Sequence, residues 1–168
     1  GNRLPAVLAD GSIPAPRPVI SGGRVQPVEG LEREPAEADV QATLALVREE
    51  FPIDPSRIYL GGNSMGGEGT LHLAMKCPQI WAAIAPGAGP IDPDRLDYEV
   101  LARLPALVVH GSQDTIMSLA ASRETVRRLR DAGGEAALFS PDDGHGAFGH
   151  NYGTILDFFL RHRRPADD

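Results

Sequence analysis

Residues 57–67 read RIYLGGNSMGG, a short apolar run that ends in glycines around a single serine, Ser64. Such a run predicts a strand, a sharp turn and the start of a helix. Residues 62–66 fit the G-x-S-x-G pattern of the nucleophile elbow, in which a serine on a strained strand-to-helix turn exposes its hydroxyl above a sheet. Gly62 and Gly66 have a steric reason in that turn, because side chains there would collide with neighbouring strands or with the reacting substrate.

The flanking sequence strengthens this motif, which is short enough to occur by chance. Residues 54–56 supply a turn before the strand, and the apolar residues between 71 and 75 continue as a helix after it. Apolar spacing predicts further helices over residues 35–51, 92–101, 118–132 and 152–162, strands over residues 81–85, 104–110 and 136–139, and a loop over residues 140–149. Residues 1–35 are rich in proline and glycine and fit either a small strand near residues 19–23 or an irregular surface segment.

Strands that alternate with helices predict an α/β fold, with a mostly parallel sheet covered by helices on both faces. The strand over residues 104–110 is apolar without alternation, as expected for a central strand of such a sheet. Ligands of these folds bind at the carboxyl ends of the strands. We therefore expect the functional residues in the loops that follow the strands.

The overall composition restricts the class of protein. A length of 168 residues is that of one domain with a core of its own. The net charge of −7 argues against nucleic acid or an anionic membrane surface as a partner, and the single cysteine, Cys77, cannot form an intrachain disulfide. No apolar run approaches the roughly 20 residues that span a bilayer, and no signal peptide is evident. We expect a soluble cytoplasmic protein, although removal of a leader before residue 1 leaves secretion open.

Two later loops contain the groups that a nucleophilic serine requires. Ser64 needs a general base, and the base needs an acid to orient it. Asp114 follows the strand that ends at His110, and His145 follows the strand that ends at Phe139. Because each candidate follows a different parallel strand, the three converge on one edge of the sheet. Their order along the chain, serine, acid and histidine, is the order of an α/β-hydrolase triad.

These motifs together resemble an α/β-hydrolase of the esterase and dienelactone-hydrolase-like group, near the feruloyl-esterase-like, polyhydroxybutyrate-depolymerase-like and prolyl-oligopeptidase-related members. The resemblance covers residues 36–163, and is carried by residues 53–60, 62–67, 82–86, 110–114 and 144–146. It implies a single domain with an irregular segment over residues 1–35 and a catalytic core over residues 36–163. By the resemblance Ser64 is the nucleophile, His145 the general base and Asp114 the orienting acid, with no cofactor and no metal. Dienelactone hydrolases use cysteine as the nucleophile, so the serine here favours ester hydrolysis.

Several neighbouring residues offer alternatives to this assignment. His150 becomes the base if the loop is arranged differently, whereas His110 is expected to be structural and to fix the loop that follows it. Asp142 and Asp143 are too close to His145 in sequence to orient it easily, and we expect them in a solvated loop. The ligand spacing around these residues does not support a metal site.

The oxyanion hole is only partly predicted. One donor is the backbone N–H of Met65, which follows the nucleophile. For the second we propose Gly22 and Gly23, since the His-Gly-Gly-like loop of typical members is missing from the N-terminal segment. A sheet without its first strands would expose an edge, so we expect a homo-oligomer, most simply a dimer. A fragment without its N-terminal third is the alternative.

The substrate is predicted only as a class. No lid-sized insertion lies between residues 85 and 106, so an open site for short-chain or aryl esters is expected, with a small-molecule ester as the partner. Met65, Ile116, Met117 and Phe148 are candidates to line it, and a core position is equally compatible with each. Peptidase or thioesterase activity on the same triad, and a binding module that has lost activity, remain alternatives to the carboxylic ester hydrolase.

Overall fold

The computed structural model describes residues 33–89 and 92–164. These residues form four strands: β1 (Tyr59–Asn63), β2 (Ala83–Gly87), β3 (Ala106–Val109) and β4 (Ala136–Phe139). They also form six α-helices: α1 (Arg33–Glu50), α2 (Met65–Lys76), α3 (Tyr98–Leu101), α4 (Leu119–Asp131), α5 (Ala147–His150) and α6 (Tyr152–Leu160). Short 3₁₀ turns lie at Pro55–Arg57, Pro78–Ile80 and Pro93–Arg95.

The four strands form one parallel sheet in the order β1-β2-β3-β4. Each strand is joined to the next by a connection that contains a helix, as parallel neighbours require. β2 is buried along its whole length, and β3 likewise. The predicted α/β architecture is confirmed, and all four strands end at the same edge.

The core has a layer on each face of the sheet, because alternate strand residues point to opposite sides. On one face, Ile84 and Val108 pack with α2 and α4 in a cluster that includes Leu71 and Leu129. The opposite face carries a second cluster, in which strand residues pack with residues of α5 and α6: Ala83, Ala85, Leu107, Val109, Phe148, Ile155 and Phe158. Helices therefore cover both faces of the described sheet.

Several element boundaries differ from the prediction. Strands β1 and β2 begin and end later than predicted. Their last residues still pair, with Gly62 opposite Pro86 and Asn63 opposite Gly87. The predicted helix over residues 92–101 is wrong in part, since Asp97 accepts a hydrogen bond from the Val100 N–H and caps a new helix, α3. The predicted loop over residues 140–149 is wrong at its end, where α5 begins at Ala147.

Contacts divide the chain into two compact units, residues 1–38 and 39–168. Of the first unit the structure describes only residues 33–38, the start of α1. Gly22 and Gly23, the candidates for the second oxyanion donor, lie outside the described residues. Within the described ranges, no helix is both long enough and apolar enough to cross a membrane. Ser64, Asp114 and His145 all belong to the second unit.

Candidate active site

Ser64 occupies the turn between β1 and α2, with φ 57° and ψ −118°. A positive φ is unusual for a residue with a side chain and costs on the order of 1–3 kcal/mol. Hydrogen bonds hold the turn on both sides, because the Ser64 N–H donates to Gly87 O at 2.8 Å and the Ser64 carbonyl accepts from the Glu68 N–H at 3.1 Å. Ser64 therefore has the strained strand-to-helix backbone of a nucleophile elbow.

The glycines around Ser64 do not all serve the predicted purpose. A Cβ on Gly62 would lie 2.7 Å from the Gly66 carbonyl oxygen, so the first turn of α2, and not a neighbouring strand, requires glycine at this position. A Cβ on Gly66 would meet no described atom within 4 Å, and the predicted collision with neighbouring strands is wrong there. Gly67 carries that constraint instead, because α2 crosses β2 so closely that a Cβ would overlap the Gly87 backbone.

Asp114 lies in the loop after β3, and its side chain is 0% exposed. Its Oδ1 accepts hydrogen bonds from the N–H groups of Ile116 at 2.8 Å and Met117 at 3.0 Å. Its Oδ2 lies 2.8 Å from His145 Nδ1. Burial by itself raises the pKa of Asp114, but the hydrogen bonds from Met117, His145 and Ile116 together outweigh it and leave that pKa below its ordinary value. The carboxylate is therefore ionised at neutral pH.

His145 lies in the loop after β4, and its side chain is 24% exposed. With Nδ1 bonded to the Asp114 carboxylate, this nitrogen carries the proton and Nε2 is the basic atom. The backbone carbonyl of His145 accepts a 2.9 Å hydrogen bond from Asn63 Nδ2, at the end of β1. The His145 ring is thus held by Asp114, and the backbone of His145 is tied to the end of β1.

The loops after β3 and β4 touch at Gly111, where an added Cβ would overlap the carbonyl oxygens of Asp143 and Gly144. Backbones that approach this closely require glycine at the contact. The structure therefore places Ser64, Asp114 and His145 after three strands at one sheet edge, with Asp114 and His145 in direct contact. Such a group can orient an imidazole to accept a proton from a neighbouring hydroxyl.

The neighbouring residues have partners of their own. His150, the alternative base, is 71% exposed and lies 2.9 Å from Asp143 Oδ2 through its Nδ1. That hydrogen bond, with one from the Gly144 N–H, lowers the pKa of Asp143 below its ordinary value. Asp142 accepts a 3.0 Å hydrogen bond from Gln113 Nε2. Asp142 is exposed and Asp143 is half-buried, and the hydrogen bonds of each help to hold the loop that carries His145.

The four residues predicted to line the substrate site differ in how far their side chains are exposed. Met65 is 87% exposed and Ile116 is 69% exposed. Met117 is half-buried, and its N–H is bonded to Asp114. Phe148 is 6% exposed and packs against the glycines of β1 and β2, so it is a core residue and not a lining residue. Among the described residues no group of three or more His, Cys, Asp or Glu side chains could hold a metal ion.

Sequence reasoning missed Asn63, Gly67 and Gly111 as residues that shape the site. Asn63 stands at a variable position of G-x-S-x-G, so the motif attaches no role to it. Gly67 and Gly111 are ordinary glycines in sequence, and only the close approach of distant backbones distinguishes them. The sequence held one signal for Gly67, which is a third glycine directly after the two glycines of the G-x-S-x-G motif.

No protein-family model matches the sequence, and comparison with curated proteins gives no significant match. Solved structures do match. A thermostable esterase is 27% identical, with a TM-score of 0.64 over 74% of this chain and 36% of that one. Esterase PE8 is 25% identical, with a TM-score of 0.60 over 76% of this chain and 60% of that one. The S-formylglutathione hydrolase FrmB from Staphylococcus aureus is 15% identical, with a TM-score of 0.57 over 74% and 61%.

The chain spans 36%, 60% and 61% of the lengths of these three proteins. The similarity to FrmB shows the fold alone. The two esterases share that fold with this chain at higher identity. The parallel sheet and the elbow serine between β1 and α2 give the chain the α/β-hydrolase fold, and the chain is similar to these two esterases of that fold.

Proposed function

We propose that the chain is the catalytic part of a serine esterase that hydrolyses carboxylic esters through Ser64, His145 and Asp114. The observation that carries the proposal is the 2.8 Å hydrogen bond between Asp114 Oδ2 and His145 Nδ1, with the His145 carbonyl bonded to Asn63, the residue before the strained elbow serine Ser64. A buried, ionised carboxylate that orients an imidazole next to such a serine is the arrangement of serine hydrolases. The similarity to esterases supports the same activity.

The reaction follows from the roles of the three groups. His145 Nε2 accepts the Ser64 proton while the hydroxyl oxygen attacks the ester carbonyl, and Asp114 stabilises the imidazolium that forms. The tetrahedral intermediate collapses, the alcohol leaves with the proton from His145, and an acyl-enzyme remains on Ser64. Water then gives a proton to His145 and attacks the acyl group, after which the acid leaves and Ser64 is restored.

The oxyanion needs at least two hydrogen-bond donors, and loss of one costs about a hundredfold or more in rate. We assign one to the backbone N–H of Met65, the first residue of α2. For the second oxyanion donor, the proposal remains a backbone N–H of Gly22 or Gly23.

Two exposed apolar side chains support a preference for small apolar acyl or aryl groups. Met65 directly follows the nucleophile, and Ile116 donates its backbone N–H to the proposed acid. Both side chains are largely exposed beside polar groups, where a substrate would cover them. We therefore propose short-chain or aryl esters as substrates, with thioesters and peptides as the alternatives on the same triad.

The test compares p-nitrophenyl esters of increasing acyl length with wild type and Ser64→Ala. Ser56→Ala is the matched control, because Ser56 lies at the opposite end of β1. We expect hydrolysis by wild type and by the control, and none above background by Ser64→Ala. A fluorophosphonate should label Ser64 covalently, as shown by mass spectrometry. Absence of hydrolysis by wild type would refute the esterase, and activity that survives Ser64→Ala would refute the nucleophile.

A homodimer stays part of the proposal. In the described sheet β1 pairs on one side only, with β2, and an edge strand of this kind is open to pairing. Size-exclusion chromatography with light scattering measures the mass directly. A monomer at all concentrations would contradict the dimer.

A further inference from the structure

A second histidine contacts the carboxylate of Asp114. His110 directly follows β3, and its side chain is 1% exposed. Its Nε2 lies 3.3 Å from Asp114 Oδ2, the same oxygen that lies 2.8 Å from His145 Nδ1. Since the backbone N–H groups of Ile116 and Met117 bind Oδ1, each carboxylate oxygen has two neighbouring nitrogens. Of these four nitrogens, only His145 Nδ1 belongs to the proposed triad, and His110 Nε2 is the other side-chain donor on the carboxylate.

His110 is held on its other side by Ser122, a residue of α4 that is 0% exposed. The distance from His110 Nδ1 to Ser122 Oγ is 2.7 Å. Burial lowers the pKa of His110, and the charge of Asp114 offsets this only in part. The ring is therefore neutral at neutral pH and carries a single proton.

The groups around both ring nitrogens decide where that proton lies. Nε2 faces two oxygens that can only accept, Asp114 Oδ2 and the Met117 carbonyl, each at 3.3 Å. The lone pair of an unprotonated Nε2 would be repelled by both oxygens, whereas a protonated Nε2 can donate a hydrogen bond to them. Nδ1 is then unprotonated and accepts a hydrogen bond from Ser122, whose single hydroxyl proton points to Nδ1 at 2.7 Å in preference to Gly89 O at 3.1 Å.

We propose that Ser122 and His110 are positioning residues of the active site, with the Ser122 hydroxyl fixing the His110 tautomer and His110 Nε2–H holding Asp114 Oδ2. The inference rests on the proposed function, because it assigns a role toward the triad acid. The second donor on Oδ2 prevents rotation of the carboxylate away from His145. It also shares the negative charge of that oxygen, which moderates its interaction with the imidazolium of His145.

Two substitutions at His110 separate its hydrogen bond from its volume. His110→Leu keeps a similar volume and removes the donor, and Ser122 can still donate to Gly89 O at 3.1 Å, so that no buried hydroxyl loses its partner. His110→Gln restores an N–H near the position of Nε2 and an oxygen that can accept from Ser122. Thr125→Val is the control, because Thr125 is also a buried hydroxyl residue of α4 and its hydroxyl donates to Ala121 O, one turn earlier in the helix.

We expect His110→Leu to lower kcat for p-nitrophenyl acetate by about 10- to 100-fold, the effect of losing a charge-assisted hydrogen bond, with little change in KM. The acidic limb of its pH–activity profile should move to higher pH, because the unshared charge on Oδ2 favours the imidazolium. His110→Gln should recover most of the activity and the wild-type profile. Thr125→Val should change neither kcat nor the profile, although it lowers the thermal midpoint.

A spectroscopic measurement does not depend on turnover. In ¹⁵N-histidine NMR of the resting protein, His110 should appear as the Nε2–H tautomer, and its signal should vanish in both His110 variants. The single substitution Ser122→Ala should weaken the preference of His110 for the Nε2–H tautomer. Added to His110→Leu, Ser122→Ala should reduce activity no further than His110→Leu alone.

The outcomes separate this inference from the esterase proposal. An Nδ1–H tautomer for His110, or a folded His110→Leu with unchanged kcat and pH profile, would overturn the positioning role and leave the esterase intact. If wild type hydrolyses no ester, the proposed function fails. The NMR measurement of the His110 tautomer would still show whether Nε2–H donates to Asp114. If His110→Leu does not fold, Ser122→Ala provides the test. A Ser122→Ala variant with the kcat of wild type and an unchanged His110 tautomer would refute the inference.

Discussion

Asn63 donates a 2.9 Å hydrogen bond from its side-chain amide to the backbone carbonyl of His145, a residue 82 positions further along the chain. The bond joins the end of β1 to the loop after β4. Because Asn63 directly precedes Ser64, it sets the distance between the nucleophile strand and the loop of the proposed base. A variable position of the elbow motif therefore contributes to the geometry of the site.

Substitution of Asn63 should impair activity more than stability. Asn63→Asp keeps the shape but places a carboxylate oxygen against the His145 carbonyl, so we expect kcat/KM for p-nitrophenyl acetate to fall by about tenfold or more. Asn63→Ala, which only removes the donor, should be less severe. Steady-state kinetics and urea unfolding measure both effects. Asn151→Asp, which alters a comparable bond to Ala147 O at 2.7 Å, should reduce stability without an equal loss of activity.

The backbone of Ser64 predicts an unusual order of stabilities at that position. At φ 57° glycine is favoured over alanine, so Ser64→Gly should exceed Ser64→Ala in free energy of unfolding by about 1 kcal/mol or more. Both variants should be inactive. At Ala132, where φ is −79°, Ala132→Gly should instead destabilise by about 0.5–1 kcal/mol. A Ser64→Ala variant more stable than Ser64→Gly would show that the elbow carries no strain.

Two adjacent glycines should respond oppositely to alanine. Gly67→Ala forces a methyl group into the Gly87 backbone and should cost about 1–3 kcal/mol by separating α2 from β2. Gly66→Ala meets open space in the same helix and should be neutral or stabilise by up to about 1 kcal/mol. Thermal unfolding of the two variants makes the comparison. Equal destabilisation would contradict the close crossing of α2 and β2.

Burial of His110 predicts a dependence of stability on pH. Its pKa in the folded protein is below the ordinary value of 6.5, so below that pH the unfolded chain binds a proton that the folded protein resists. The contribution of His110 to stability is therefore complete above pH 6.5 and is lost as the pH falls towards the lowered pKa. Urea unfolding between about pH 7.5 and 5.5 should show a steeper loss for wild type than for His110→Gln, which cannot titrate. Parallel curves would contradict this account.

The local pattern of the sequence was sufficient for the architecture. Alternation of apolar runs with helical periodicity predicted the parallel sheet, and the glycines around Ser64 predicted the elbow. Asp114 and His145 were predictable as site candidates because parallel strands end at a common edge. The boundaries of β1 and the start of α5 were not, since glycine is a weak strand residue and a helix of four residues leaves no periodic signal.

The sequence by itself determined the elements, their order and which loops carry polar side chains, because these depend on residues close together in the chain. The contacts of Asn63 with His145 and of His110 with Asp114 and Ser122 were decided only by the tertiary structure. They depend on side chains that packing of the sheet and α4 brings together, and no periodicity records such pairs. The same packing makes Phe148 a core residue and leaves Met65 and Ile116 exposed, although all three are equally apolar in sequence.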